Sequence, residues 1–389
     1  MIARHSHSAQ ITGSNMINKK RLVNLTQQLI RINSQNPPGD ESRIAAFIKE
    51  YLHNIGLKPK IVEFKNKRPN ILAVLKGENT TRSLMITPHL DTVPSGRNWR
   101  VDPFCAKIIN GRIYGLGATD CKGNLGCALE VMQSILESRI TLGYDLIFCA
   151  TADEESGSDL GLIPLLDKKI IHPDAAIVLD ADDFEIVITQ KGLIHLKVKI
   201  QGKRAHGAYP WKGINAIDIA VDIIKEIRNF KFLENKNRYL KKPTVNVGTI
   251  RGGDKVNVVA DWCEFELDFR FLPGDSEKAI LSRLKKSIRK YTAKFKIEIE
   301  GIQKPYLIEE SHPLISCLSQ ALKKFKLQPK IRGSEGATTI TFFQNKNIPA
   351  IATGFGCSGC AHISDEYVKI DNLYKGASVL EEFLKNYRF

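Results

Sequence analysis

No apolar run in these 389 residues approaches the roughly 18 that a membrane-spanning helix needs, and no segment joins a basic start, an apolar stretch and a small-residue cleavage site. A membrane span and a secretory leader are therefore not expected, and a cytoplasmic location is. Cysteine is sparse: eight residues (105, 121, 127, 149, 263, 317, 357 and 360) lie scattered along the chain, which favours reduced thiols over a disulfide framework. Only Cys357 and Cys360 have the spacing of a metal or redox pair. No second pair completes a structural zinc site, so a small-residue loop is expected there. Acidic charge is in deficit, with 42 Asp and Glu against 57 Lys and Arg and a formal net charge of +15. The positive residues are nevertheless dispersed, as in Lys241-Lys242 and Lys285-Lys286, and no basic stripe interleaved with aromatics is present. That argues against nucleic acid as a partner and for a solvated basic surface that draws in small anionic substrates.

What is present is the composition of an ordinary folded protein, 43% hydrophobic and 25% charged. At ~100–200 residues per domain the length implies two domains. Residues 1–18 are polar and aperiodic and read as a disordered tail, with Met16 competing with Met1 as the start. Ile44, Phe47, Ile48, Tyr51, Leu52 and Ile55 fall at helical spacing with Gly56 at the stop, behind a turn at Asn36-Pro37-Pro38-Gly39-Asp40. Strands are predicted at 60–63, 70–75 and 84–87, and a helix over about 124–138 after the turn Gly115-Leu116-Gly117. Residues 145–151 and 175–179 are short, nearly unbroken apolar runs, as expected of central strands covered on both faces.

Beyond Gly192 the pattern changes. An alternating strand at 193–200, an amphipathic helix at 216–227, strands at 244–250 and 263–271, a helix capped by Ser276 and a strand at 294–300 give a β-α-β-β-α-β order. That order predicts a four-stranded antiparallel sheet with two helices on one face, inserted as residues 191–305 into a first domain made of 19–190 and 306–389. The first domain resumes with a helix at 312–325, a strand at 349–353 and a final helix that Asp371 can cap. The expected fold class is α/β, a mixed and largely parallel sheet with an inserted α+β, ferredoxin-like domain.

The chemistry is signalled where apolar runs end. His89-Leu90-Asp91 follows the run 84–86, and Asp120, the pair Glu154 and Glu155, Asp180 and His362 are further potential ligands at comparable places. Strand exits in an open α/β sheet converge on one crevice, which points to a two-metal hydrolase. Taken alone, Asp153-Glu154-Glu155 is either a surface acidic turn or a hydrated or metal-bound cluster. A metal pair held about 3.5–4 Å apart needs one bridging carboxylate, a few terminal ligands and an open position for water. Two histidines and three carboxylates without cysteine suit Zn²⁺ or a related first-row ion. Asp91 is placed to accept the imidazole proton of His89 that faces away from the metal. Glu154 shares a metal poorly with its neighbour Glu155, so it is free to act as general base and then general acid.

Four runs carry a family resemblance: 85–94 (MITPHLDTVP), 115–123 (GLGATDCKG), 153–157 (DEESG) and 361–367 (AHISDEY). They resemble the di-zinc family of acetylornithine deacetylase, succinyl-diaminopimelate desuccinylase and glutamate carboxypeptidase, over nearly the whole chain after the tail. The resemblance implies two Zn²⁺ per subunit, with Co²⁺ able to substitute: His89, Asp120 and Asp180 on one ion, and Asp120, Glu155 and His362 on the other, with Asp120 as the bridge. It also implies that residues 202–216 belong to a lid and dimerisation domain, with His206 reaching the partner subunit's site to stabilise the oxyanion, and with Asn257 and Arg270 holding substrate. Two departures stand out. Asp180 occurs where deacetylases and desuccinylases usually carry Glu followed by Pro, which leaves Asp182 as a rival ligand, and Gly333-Ser334-Glu335-Gly336 replaces a loop that usually ends in Thr-Asp. The expected activity is hydrolysis of an N-acyl amino acid by a metal-bridged hydroxide in a homodimer, with N-succinyl-diaminopimelate or N-acetylornithine type substrates favoured by the basic excess. A dipeptidase or carboxypeptidase of the same fold is the alternative. A non-catalytic binding protein with a basic surface has no reason to keep Asp91 and Glu154 beside all the ligands.

Overall fold

The computed structural model describes residues 16–232, 236–336 and 338–389. Most of the expected tail, residues 1–15, lies outside them. Its last residues do not behave as a tail: Ile17 is buried, and the Asn18 side chain accepts the Arg21 N–H to cap a helix, Lys19–Arg31. Leu22, Leu25, Leu29 and Ile30 form the buried face of that helix, which packs on the helix Lys122–Glu137. Ile17 and Asn18 therefore belong with the packed helix that follows them.

The larger sheet has nine strands among the described residues. Its order from one edge is Lys60–Glu63, Pro69–Leu75, Asp145–Ala150, Ser83–Thr87, Ala175–Leu179, Ala350–Thr353 and Glu185–Gln190, and both Tyr306–Leu307 and Lys330–Ser334 pair with the last of these. The middle strands Asp145–Ala150, Ser83–Thr87, Ala175–Leu179 and Ala350–Thr353 are mutually parallel, so their carboxyl ends share one edge. Their apolar runs are the reason: every residue of Ala175–Leu179 and of Ala350–Thr353 is buried. This is the expected mixed sheet with a parallel core. At the final helix, Ile370–Asn386, the expected cap is corrected: Lys369 holds the N-cap position, and Asp371 sits inside the first turn, 2.8 Å from the Lys19 ammonium. A carboxylate there still complements the helix dipole.

The second sheet is ordered Thr244–Gly252, Trp262–Phe271, Gly192–Gln201, Phe295–Gln303, all pairs antiparallel, with helices Ala216–Ile227 and Glu277–Arg289. Its alternating residues Ile194, Leu196, Val198, Phe265, Leu267 and Phe269 form a hydrophobic cluster separate from that of the larger sheet. The alternate positions face away from that core, so Arg270, Leu193 and Gln303 lie side by side on the other face. Among the described residues no helix is long and apolar enough to cross a membrane. All eight cysteines are free thiols, and Cys357 and Cys360 are joined only by a backbone turn, the Cys360 N–H donating to the Cys357 carbonyl.

Candidate metal centre

Each parallel strand releases a potential ligand just past its carboxyl end. His89 follows Ser83–Thr87, Glu154 and Glu155 follow Asp145–Ala150, Asp180 directly follows Ala175–Leu179, and His362 lies in the loop beyond Ala350–Thr353. Asp120 stands two residues before the helix Lys122–Glu137. The side chains meet: His89 Nε2 is 2.9 Å from Asp120 Oδ1, and His362 Nε2 is 3.1 Å from Asp120 Oδ2 and 3.3 Å from Glu155 Oε2. One carboxylate thus offers one oxygen to each imidazole. Asp180 Oδ1 lies 3.9 Å from His89 Nε2. His89, Glu154 and Asp180 bring donor atoms within 4.8 Å of one another, as do Asp120, Glu155 and His362. Asp182 joins no such group among the described residues; its backbone bridges to Gly356 instead.

Asp91 works differently from the expectation. The nearest partner of His89 Nδ1 is the main-chain oxygen of Asp91 at 3.0 Å, while the carboxylate stands 3.6 Å off, too far for a good hydrogen bond. The buried carboxylate instead accepts the N–H groups of Glu154 (3.1 Å) and Glu155 (3.2 Å) and the Asn36 amide (2.9 Å). It therefore orients the imidazole through the chain and the paired glutamates through its oxygens.

Three supports escaped the sequence reading. The first is Asn36, which also donates to Asp153. The second is Arg68, whose fork grips the buried Glu41 at 2.7 and 2.9 Å and also reaches Asp153 at 2.9 Å. Asp153 carries a left-handed φ of 66°, which a side chain disfavours, and these contacts hold it there immediately before Glu154 and Glu155. The third is Glu366, buried, which accepts the N–H groups of Gly117, Thr119 and Asp120 at 2.8–3.0 Å and so ties the Asp120 turn to the loop of His362. Gly117 has φ 80°, a conformation that glycine alone adopts freely. Asn36, Arg68 and Glu366 had no visible partner along the chain, since the partners of their side chains are between 27 and 249 positions away.

The electrostatics are those of crowded carboxylates. Burial and the Asp120 charge push Asp180 up to about 7, and burial and the Asp180 charge raise Glu154 well above the carboxylate range. Burial would raise Asp120 too, but hydrogen bonds from His362 and His89 hold it below its ordinary value. Hydrogen bonds to Asp120 and Glu155 lift His362 to about 10. Cys121, beside His89, is pushed up to about 12 by burial, so without a metal it stays a thiol at neutral pH. Glu155 Oε1 is buried with no hydrogen-bond partner. An orphaned carboxylate oxygen beside two imidazoles and three further carboxylates fits a divalent cation, which supplies the missing charge.

The site opens into a cavity of about 350 Å³ lined by Asp120, Glu154, Glu155, Asp180 and His362. His206, Asn257 and Arg270 do not line it. His206 and Asn257 are exposed and adjacent, the Gly207 N–H donating to the Asn257 carbonyl and His206 bridging to Val258. Arg270 is half-buried, and its fork holds Asp268 at 2.8 and 3.1 Å.

Residues 85–386 match the model of peptidase family M20/M25/M40. An uncharacterized metallohydrolase of Methanococcus maripaludis is 30% identical over 93% of this chain and 98% of its own. Acetylornithine deacetylase of Vibrio atlanticus is 27% identical over 92% of this chain and 95% of its own. Among solved structures, a tripeptidase of Staphylococcus aureus superposes with a TM-score of 0.79 at 25% identity, covering 95% of this chain and 98% of that one. With ligand groups at the carboxyl edge of the sheet and a match over most of its length, this chain belongs to peptidase family M20/M25/M40 and is a metallohydrolase of amide or peptide bonds.

Proposed function

We propose that this chain is a two-zinc amidohydrolase that removes the acyl group of an N-acyl amino acid, of the N-succinyl-diaminopimelate or N-acetylornithine kind. The observation that carries the reading is Asp120, whose two oxygens face His89 and His362, each within its own set of carboxylates. His89, Asp120 and Asp180 would hold one Zn²⁺ and Asp120, Glu155 and His362 the other, with Co²⁺ as a functional substitute. The ions, when bound, supply Lewis acidity toward the scissile carbonyl and toward water. Glu154, buried and raised in pKa, is suited to take a proton from the attacking water and to return it to the leaving amine.

The same reading makes the inserted domain a lid and dimerisation domain. His206 accepts the Ala208 N–H at Nδ1, which leaves Nε2 as its donor toward an oxyanion in the partner subunit. Arg270 would exchange Asp268 for a substrate carboxylate, with Asn257 beside His206. A cytoplasmic homodimer is part of this proposal, supported by the free cysteines and by the exposed His206. A dipeptidase or carboxypeptidase is the second reading, favoured by the likeness to the tripeptidase. The test is a panel of N-acetyl, N-succinyl and N-formyl amino acids and dipeptides, assayed with zinc and then cobalt. Turnover of acyl amino acids above dipeptides is the expected result. Turnover of dipeptides alone would replace it with the second reading, and no turnover at all would overturn both.

A further inference from the structure

Among the described residues six buried side-chain polar atoms have no hydrogen-bond partner, and three of them, on Glu155, Ser158 and Gln303, line the one cavity at the metal centre. Buried polar groups in a folded protein are almost always paired, so this convergence marks a place where something else is meant to bind. Glu155 Oε1 belongs to the ligand set. The other two do not. Ser158, 1% exposed, is fixed by its backbone: its N–H donates to the Asp153 carbonyl, and its carbonyl accepts from Gly161 and Ile163. Its hydroxyl is left over. Gln303 is the last residue of the strand Phe295–Gln303 of the smaller sheet, while Ser158 lies in the loop that follows Asp145–Ala150 of the larger one, so the two orphans approach the cavity from separate parts of the fold.

The rest of the lining limits what fits. Thr338 is already engaged, its N–H and hydroxyl both donating to the Gln190 side-chain oxygen, and Phe342 supplies an apolar wall. Among the described residues no lysine or arginine lines the cavity. Apart from His362, which belongs to the ligand set, the charged side chains of the lining are the carboxylates Asp120, Glu154, Glu155 and Asp180, which oppose a further anion. The free atoms are a hydroxyl, which donates and accepts, and an amide oxygen, which accepts, so together they match a group that offers both donors and an acceptor, as a carboxamide does.

We infer that Ser158 and Gln303 form a specificity subsite for a neutral, donor-bearing group of the substrate, such as a carboxamide, on one side of the scissile amide. The inference rests on the amidohydrolase reading and refines it: the basic surface brings anions near, but this cavity selects an uncharged polar group.

Matched substrates test it. N-acetylglutamine is compared with N-acetylglutamate and N-acetylmethionine, and N-succinamoylalanine with N-succinylalanine, so that each side of the amide carries the carboxamide in turn. The enzymes are the metal-loaded wild type, Ser158→Gly and Gln303→Met. Glycine suits the φ of 68° at position 158, and methionine keeps the length of Gln303, so both variants preserve the fold. The wild type is expected to favour the carboxamide about tenfold in kcat/KM in one of the two series, chiefly through KM, and each variant to bring that ratio toward one. A wild-type ratio near one, or a ratio unchanged in both variants, overturns the subsite. Hydrolysis of other N-acyl amino acids without this preference leaves the functional reading standing; hydrolysis of none removes both.

Discussion

Glu154 and Glu155 are neighbours in the chain with separate work. Glu155 faces His362 and keeps one oxygen unpartnered, while Glu154 groups with His89 and Asp180 and has a carboxyl raised by burial. On the proposed role, replacing Glu154 with Gln removes the proton carrier but keeps the shape, so turnover should fall by ~10²–10⁴ while zinc content stays at the wild-type level. Equal loss of metal and activity in Glu154→Gln would mean that Glu154 is a ligand instead. At this scale the sequence was highly legible: the residues brought together here were marked by acidic or imidazole side chains placed just past apolar runs, where packing has no use for them. Asp91 was legible as a partner of His89 but not in its manner, since a main-chain contact leaves no trace in residue identity.

Two loops owe their shape to buried carboxylates from far along the chain. Glu366 accepts three N–H groups of the turn around Asp120, so Glu366→Ala should loosen Asp120, the proposed bridge, and weaken zinc binding by about 10–100-fold in a chelator competition, with Gln restoring part of it. Unchanged affinity in the alanine variant would show that the turn holds itself. Arg68→Ala would leave Glu41 buried and unpaired, and should cost about 3–5 kcal/mol in urea unfolding. A loss below about 1 kcal/mol would mean that water replaces the guanidinium. Helices and strands with strong periodicity were readable, including the whole order of the inserted domain. The helix Lys19–Arg31 was obscured because its basic start continues the polar stretch before it, although Leu22, Leu25 and Leu29 carry the spacing. Glu185–Gln190 and Lys330–Ser334 were missed because short strands flanked by charge look like loops until their sheet partners are known.

Across the whole molecule, metal and proton compete for one set of lone pairs. Asp180, raised to about 7 from 3.8, and His362, raised to about 10 from 6.5, each bind protons more tightly in the folded state. Both contributions are full below the unfolded values and disappear as pH rises through the folded ones, so metal-free protein should lose stability from pH 3.8 to about 7 through Asp180 and from 6.5 to about 10 through His362. Zinc binds better over the same window, so the Tm gap between loaded and metal-free protein should widen with pH; a gap that narrows contradicts the linkage. The proposed dimer also belongs to this scale, and the role proposed for His206 rests on resemblance, because an exposed histidine on a loop looks ordinary in one chain. The most direct test of the account is metal stoichiometry by mass spectrometry in the wild type and in Asp120→Ala. A shared bridge predicts about two zinc ions per wild-type chain, and fewer than one, with amide hydrolysis abolished, in the variant. Two ions retained without Asp120, or a single ion in the wild type, would contradict it.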